Sequence, residues 1–123
     1  MNNDKPRDIK ERTFAFAVEI VRLCRRLEAY ADVSRALGKQ LLRSGTSIGS
    51  NVEEAQAGQS LADFVSKYAI ALKEARETIY WLRLLRAAGF GEADQIDSLN
   101  REANELSRII GSIVVNAKKR KSK

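Results

Sequence analysis

The segment Gln40-Leu41-Leu42-Arg43-Ser44-Gly45-Thr46-Ser47-Ile48-Gly49-Ser50-Asn51-Val52-Glu53-Glu54-Ala55 decides the fold. Leu41, Ile48, Val52 and Ala55 recur at helical spacing. The residues between them are rich in Gly, Ser and Thr, which are poor helix formers. A helix that tolerates so many is using small residues for close packing. The segment therefore reads as a helix inside a bundle, with Gly45 and Gly49 letting a neighbouring backbone approach.

The flanking periodicity predicts three more helices. One runs from about Asp8 to Leu27, with Phe14, Ala17, Ile20, Val21 and Cys24 on one side. Phe16, Leu23 and Leu27 widen that side, and Arg22 and Arg26 mark the wet one. The helix containing Gln40–Ala55 starts at a cap on Asp32 or Ser34, buries Leu37 as well, and stops before Gly58. Ser60-Leu61-Ala62-Asp63 resembles a capping box with Asp in place of Glu. It opens a third helix reaching about Ala87, striped by Leu61, Phe64, Tyr68, Leu72, Ala75, Ile79 and Leu82. Gly89 and Gly91 break the chain. A fourth helix runs from about Glu92 to Ala117, with Ile96, Leu99, Ala103, Leu106, Ile110, Ile113 and Ala117 in alternating steps of three and four.

Short loops between long helices favour antiparallel neighbours. The expected fold is all-α, an up-down-up-down antiparallel four-helix bundle over residues 1–117. Residues 118–123 then form a mobile basic tail.

Composition narrows the function. The 123 residues are 44% hydrophobic and 31% charged, as in a single globular domain. The polar start, Met1-Asn2-Asn3-Asp4-Lys5-Pro6, does not read as a signal peptide. No apolar run approaches the roughly 20 residues that span a bilayer. A cytoplasmic protein with no membrane partner is expected. Cys24 is the one cysteine, so no internal disulfide forms.

There is no histidine. Di-iron bundles usually need two Glu-x-x-His motifs, so Glu53, Glu54, Glu74 and Glu77 do not complete such a centre. Carboxylates bind Mg²⁺, but nothing in this spacing requires it. Cys24 lies on an apolar side without a histidine to activate it, and reads as a packed thiol. Ser44 and Ser47 have no recognisable base, and Gly45-x-x-x-Gly49 lacks the Walker lysine context. The expectation is a non-enzyme with no cofactor and no metal.

Charge is the better lead. The formal net charge is +6, concentrated in the first third and at the C-terminus. Arg35, Lys39 and Arg43 are spaced by four and line one edge of the second helix. Arg22, Arg25 and Arg26 cluster on the first, and Lys118, Lys119, Arg120, Lys121 and Lys123 crowd the end. Charge runs are commonly just solvated faces. Summed over an oligomer, however, these cations would suit a polyanion, RNA or DNA, held by its phosphates. No solvent-facing aromatic platform is expected, so base reading is not.

The third helix has more apolar surface than one bundle uses. Ile70, Tyr80, Trp81, Leu84 and Leu85 lie off its main stripe, among Glu74 and Glu77. Such a face predicts a homo-oligomer interface.

Part of this pattern resembles a known family. Gln40-Leu41, Arg43, Ser47-Ile48, Asn51-Val52, Glu54-Ala55, Phe64 and Ala71-Leu72-Lys73-Glu74 follow the motif of the 23S rRNA intervening-sequence proteins. Gly49 stands where many relatives have Pro, and Ala55 where many have Gly. The resemblance implies a homopentamer of up-down bundles around a central channel. It is also similar to the accessory protein of diversity-generating retroelements, which works with a reverse transcriptase and binds nucleic acid through a positive surface. It implies structural roles for Ser47, Asn51, Glu54 and Glu74, with hydrogen bonds between helices or subunits. The leading expectation is thus an oligomeric nucleic-acid-binding accessory protein. The alternatives are a protein–protein scaffold and a Mg²⁺ enzyme using Glu54 or Glu74.

Overall fold

The computed structural model describes residues 8–29, 32–58 and 60–121. It contains four helices: α1 (Ile9–Leu27), α2 (Asp32–Ala57), α3 (Leu61–Ala88) and α4 (Ala93–Lys121). Among the described residues there is no strand. Each helix packs on its neighbours in the chain, α1 also meets α4 more lightly, and the backbones of the diagonal pairs do not approach each other. Side-chain pairings fix the directions. Cys24 meets Gly38 while Thr13 meets Gly49, and Gln56 meets Tyr68 while Ser44 meets Thr78. Arg86 meets Asp97 and Arg12 meets Glu102. Each pair runs antiparallel, which is the expected up-down-up-down bundle.

The helix ends follow local chemistry. The Asp8 side chain caps α1, accepting from the Lys10 N–H at 2.9 Å. Ser60 caps α3, accepting from the Asp63 N–H at 3.0 Å, as the Ser-x-x-Asp pattern predicts. Gly89 ends α3 in the left-handed conformation, φ 83°, with its N–H turned back to the Leu85 and Arg86 carbonyls. Ser34 is not a cap. It lies within α2, buried, and donates to the Leu27 carbonyl at 3.0 Å, tying α2 to the end of α1.

The core is formed by Phe16, Ile20, Leu23 and Leu27 of α1 with Leu41, Ile48 and Val52 of α2. Tyr68, Ala71, Ala75, Leu82 and Leu85 of α3 complete it with Ile96, Leu106, Ile110 and Val114 of α4. The small residues of α2 serve the α1 contact. A Cβ on Gly45 would sit 2.9 Å from Cγ1 and Cγ2 of Ile20, and one on Gly49 would sit 3.3 Å from the Thr13 backbone. Arg12 bridges the lighter α1–α4 seam with two hydrogen bonds to the Glu102 carboxylate, at 2.7 and 3.1 Å.

Three expectations change. Phe14 faces outward, 63% exposed, and Val21 is also exposed; Thr13 takes the inward position with its hydroxyl bonded to the Ile9 carbonyl. In α4, Val114 rather than Ile113 completes the most buried row. A straight helix turns 3.6 residues per turn and drifts off a strict 3.5 repeat. Finally, α4 continues through Lys121, so residues 118–121 extend the helix instead of leaving it as a mobile tail. Lys123 lies outside the described residues.

Candidate nucleic-acid interface

The antiparallel topology brings the end of α1 beside the start of α2. Arg25 from α1 and Arg35 and Lys39 from α2 thereby line one groove, with Glu28 at its edge. Its apolar floor is Val21, Leu42, Gly38 and Cys24. Arg22 and Arg26 flank Arg25 on the outer surface of α1. Arg25, Arg26, Arg35 and Lys39 are exposed, and none is ion-paired among the described residues. Arg22 pairs with Glu19 at 2.6 Å. Arg25 and Arg26 also sit in the last turn of α1, where the helix dipole favours cations. That stabilisation is a structural role and leaves their outward charge available.

The groove itself is small, about 140 Å³. Pockets for drug-sized ligands run from about 300 to 1,000 Å³. The cluster therefore suits a phosphate backbone lying across it better than an enclosed molecule. Cys24 supports that view. Its thiol donates to the Gly38 carbonyl at 3.3 Å, and burial pushes its pKa up to about 11. A thiol that stays protonated at neutral pH is a poor nucleophile.

The other sequence-identified cations do not join this cluster. Arg43 is neutralised: it pairs with Glu74 of α3 at 3.2 Å and with Glu77 as well. Glu77 also accepts from the Trp81 indole N–H at 3.0 Å. Arg43 is thus a strut between α2 and α3. Lys118, Lys119 and Arg120 sit at the opposite end of the bundle, where Arg120 lies beside the α2–α3 connection with Gly58 and Ser60. At 1.5 Å per residue, the length of α4 separates the two cationic ends by about 40 Å.

The face expected to drive self-association is also reduced. Leu85 is fully buried in the core, so it is not an interface residue. Trp81 and Leu84 are half-buried, and Trp81 packs on the core. Glu74 and Glu77 are engaged by Arg43 within the chain. Ile70 and Tyr80 remain exposed.

Among the family-motif residues, Glu54 joins helices, holding Lys67 at 2.9 Å. Ser47 and Asn51 do not: they donate to the Arg43 and Ser47 carbonyls of their own helix, at 2.6 and 2.8 Å. Both reach back one turn because a polar side chain at i finds the carbonyl at i−4.

The model of the 23S rRNA-intervening sequence protein family matches residues 5–112. The chain belongs to the 23S rRNA-intervening sequence protein family. A crystal structure of a protein of unknown function from the S23 ribosomal protein family of Bacteroides thetaiotaomicron VPI-5482 is 44% identical to this family member. It aligns with a TM-score of 0.80, over 87% of this chain and 98% of that one. No curated protein matches.

A second groove gathers residues that the sequence reading did not single out, Arg83, Asp97 and Asn100, around Tyr80, which it assigned to a subunit interface. Tyr80 is 53% exposed, so a solvent-facing aromatic does exist. It lines this groove with Arg83, Leu84 and Ala87 of α3 and Asp97 and Asn100 of α4. The signal was present as the i, i+3, i+4, i+7 spacing of Tyr80, Arg83, Leu84 and Ala87 on one helix face. Among the described residues no cluster of three or more His, Cys, Asp or Glu side chains is placed to hold a metal ion. Among the described residues no helix is long and apolar enough to cross a membrane.

Proposed function

We propose that this family member is a non-enzymatic, oligomeric accessory protein that binds RNA or DNA by its phosphates. One observation carries the reading: Arg25, Arg35 and Lys39 converge from two helices on one groove without ion-pair partners among the described residues. Most of the bundle's other bridging cations are spent on carboxylates, as with Arg12, Arg43, Lys67 and Arg86. A cluster left unpaired concentrates positive potential where a polyanion can reach it. Repetition of the cluster in a homopentamer would multiply that potential, and a reverse transcriptase is a fitting protein partner on the family resemblance.

The test is binding of fluorescent RNA and DNA duplexes as salt is raised. Each phosphate contact should steepen the log–log slope by about 0.9 for B-DNA. An Arg25→Ala, Arg35→Ala, Lys39→Ala variant should flatten it. Absence of binding even at about 50 mM salt refutes the proposal.

A second reading has one observation in its favour. Phe14 and Val21 of α1, with Leu42 of α2, leave large apolar side chains exposed. Such a stripe suits a protein contact. A partner that stays bound in a nuclease-treated lysate and is lost with Phe14→Ser would favour a scaffold.

A further inference from the structure

The groove between α3 and α4 combines three features that the phosphate site does not use. Tyr80 presents an exposed aromatic ring, 53% accessible, at its edge. Arg83 stands one turn further along α3 and is exposed, with no ion pair among the described residues. Facing them from α4 is Asn100, whose amide makes no hydrogen bond among the described residues; its Oδ1 is shut away from solvent, so the amide nitrogen is the polar atom left to the groove. An amide N–H without an acceptor is a ready donor to a ligand. Arg86 and Asp97, also at the groove, are occupied by each other at 2.9 Å. The open groove measures about 590 Å³, within the range of small-molecule sites.

We infer that this groove receives one unpaired nucleotide of a single strand, its base on Tyr80, its edge on the Asn100 amide and its phosphate on Arg83. This rests on the nucleic-acid reading above and narrows it to single-stranded substrate. The chemistry is mutually consistent. Aromatic stacking holds any base by its π-face, and the open amide N–H of Asn100 can donate to an acceptor on a base edge. An arginine beside them anchors the backbone. Bases within a duplex are already stacked and paired, so only an unpaired one can lie on Tyr80. The groove lies toward the same end of the bundle as Arg25, Arg35 and Lys39 but on the opposite seam, α3–α4 rather than α1–α2, so a base held there is a contact separate from that cluster.

Trp81 is the sole tryptophan, and its ring lies edge-on to Tyr80 with centroids 5.1 Å apart. It reports on any base stacked there. The experiment titrates the intact protein with a six-nucleotide single-stranded oligoadenylate and with a duplex of equal length, reading Trp81 emission and anisotropy. The single strand should change the emission and the duplex should not. Tyr80→Ala should weaken single-strand binding about tenfold, with Tyr80→Phe close to the parent. Asn100→Ala should alter the preference among oligoadenylate, oligouridylate and oligocytidylate.

Salt-sensitive binding of both probes with no change in Trp81 emission, or unaltered by Tyr80→Ala, overturns the inference and leaves the phosphate reading intact. Failure of both probes to bind overturns both. Tyr80→Ala that dissociates an assembly by light scattering without weakening the single strand shows a subunit contact instead, and also overturns it.

Discussion

Thr78 on α3 donates its hydroxyl hydrogen to the Ser44 hydroxyl on α2 across 2.9 Å, where neither residue meets solvent. The Thr78 oxygen is also 2.8 Å from the Glu74 carbonyl, and the Ser44 oxygen 3.4 Å from that of Leu41. This is a polar bolt between two helices within the core. Thr78→Val preserves shape and strands the Ser44 hydroxyl, so it should cost about 1–2 kcal/mol in urea denaturation. Adding Ser44→Ala removes the stranded group and should recover most of the loss. If the two losses simply add, the hydroxyls are not coupled.

Two glycines should answer to alanine in opposite directions. At Gly45 the new methyl would meet both branch carbons of Ile20 at 2.9 Å, and neither can swing away without moving the helix. Overpacking of about 1–3 kcal/mol outweighs a helix-propensity gain of up to about 1 kcal/mol, so Gly45→Ala should lower the melting temperature. At Gly111 the nearest atom is Leu72 Cδ1 at 4.0 Å. The propensity gain is then unopposed, and Gly111→Ala should raise it.

The Cys24 thiol gives a pH signature. Burial raises its pKa from 9.0 to about 11, so between those values the folded protein holds a proton that the unfolded chain has lost. Stability must fall as pH rises through that window and level off above it. Cys24→Ser should retain a donor to the Gly38 carbonyl while removing this component of the slope, which denaturation at pH 8, 9, 10 and 11 would reveal. At pH 7.5, alkylation of the folded thiol by iodoacetamide should be much slower than that of free cysteine.

Arg43 and Arg35 lie on the same edge of α2 by spacing, yet should behave differently. Arg43→Ala breaks the pairs with Glu74 and Glu77 and disturbs the Trp81 hydrogen bond, so it should shift tryptophan emission. It should barely change nucleic-acid affinity. Arg35→Ala should do the reverse, reducing the salt slope by about 0.9 in a DNA-binding assay.

That contrast marks where sequence reading stops. The four helices, their caps at Ser60 and Gly89 and the small-residue face of α2 were legible because each rests on local chemistry or on periodicity. The orientation of α3 was legible only in part. Tyr68, Ala75 and Leu82 of the expected stripe are buried, whereas Leu72 and Ile79 are only half-buried. Apolar residues surround the helix, so the spacing leaves its rotation loose, and the structure turns inward a row that also includes Ala71, Thr78 and Leu85. The same helix brings Glu74 and Glu77 to Arg43, a neutralisation invisible in the spacing of Arg35, Lys39 and Arg43 alone. Phe14 misled for a related reason: size suggested burial, whereas the close approach of Gly49 selects the slim Thr13.

Helices adjacent along the chain are also adjacent in space, and only the lighter junction of α1 with α4 unites distant segments. Most of the interior can therefore be built by hairpins closing locally, with little loop entropy to overcome. Refolding should be complete within microseconds to milliseconds. The Arg12–Glu102 junction should be the final one to lock and, under slow hydrogen exchange, the first to breathe.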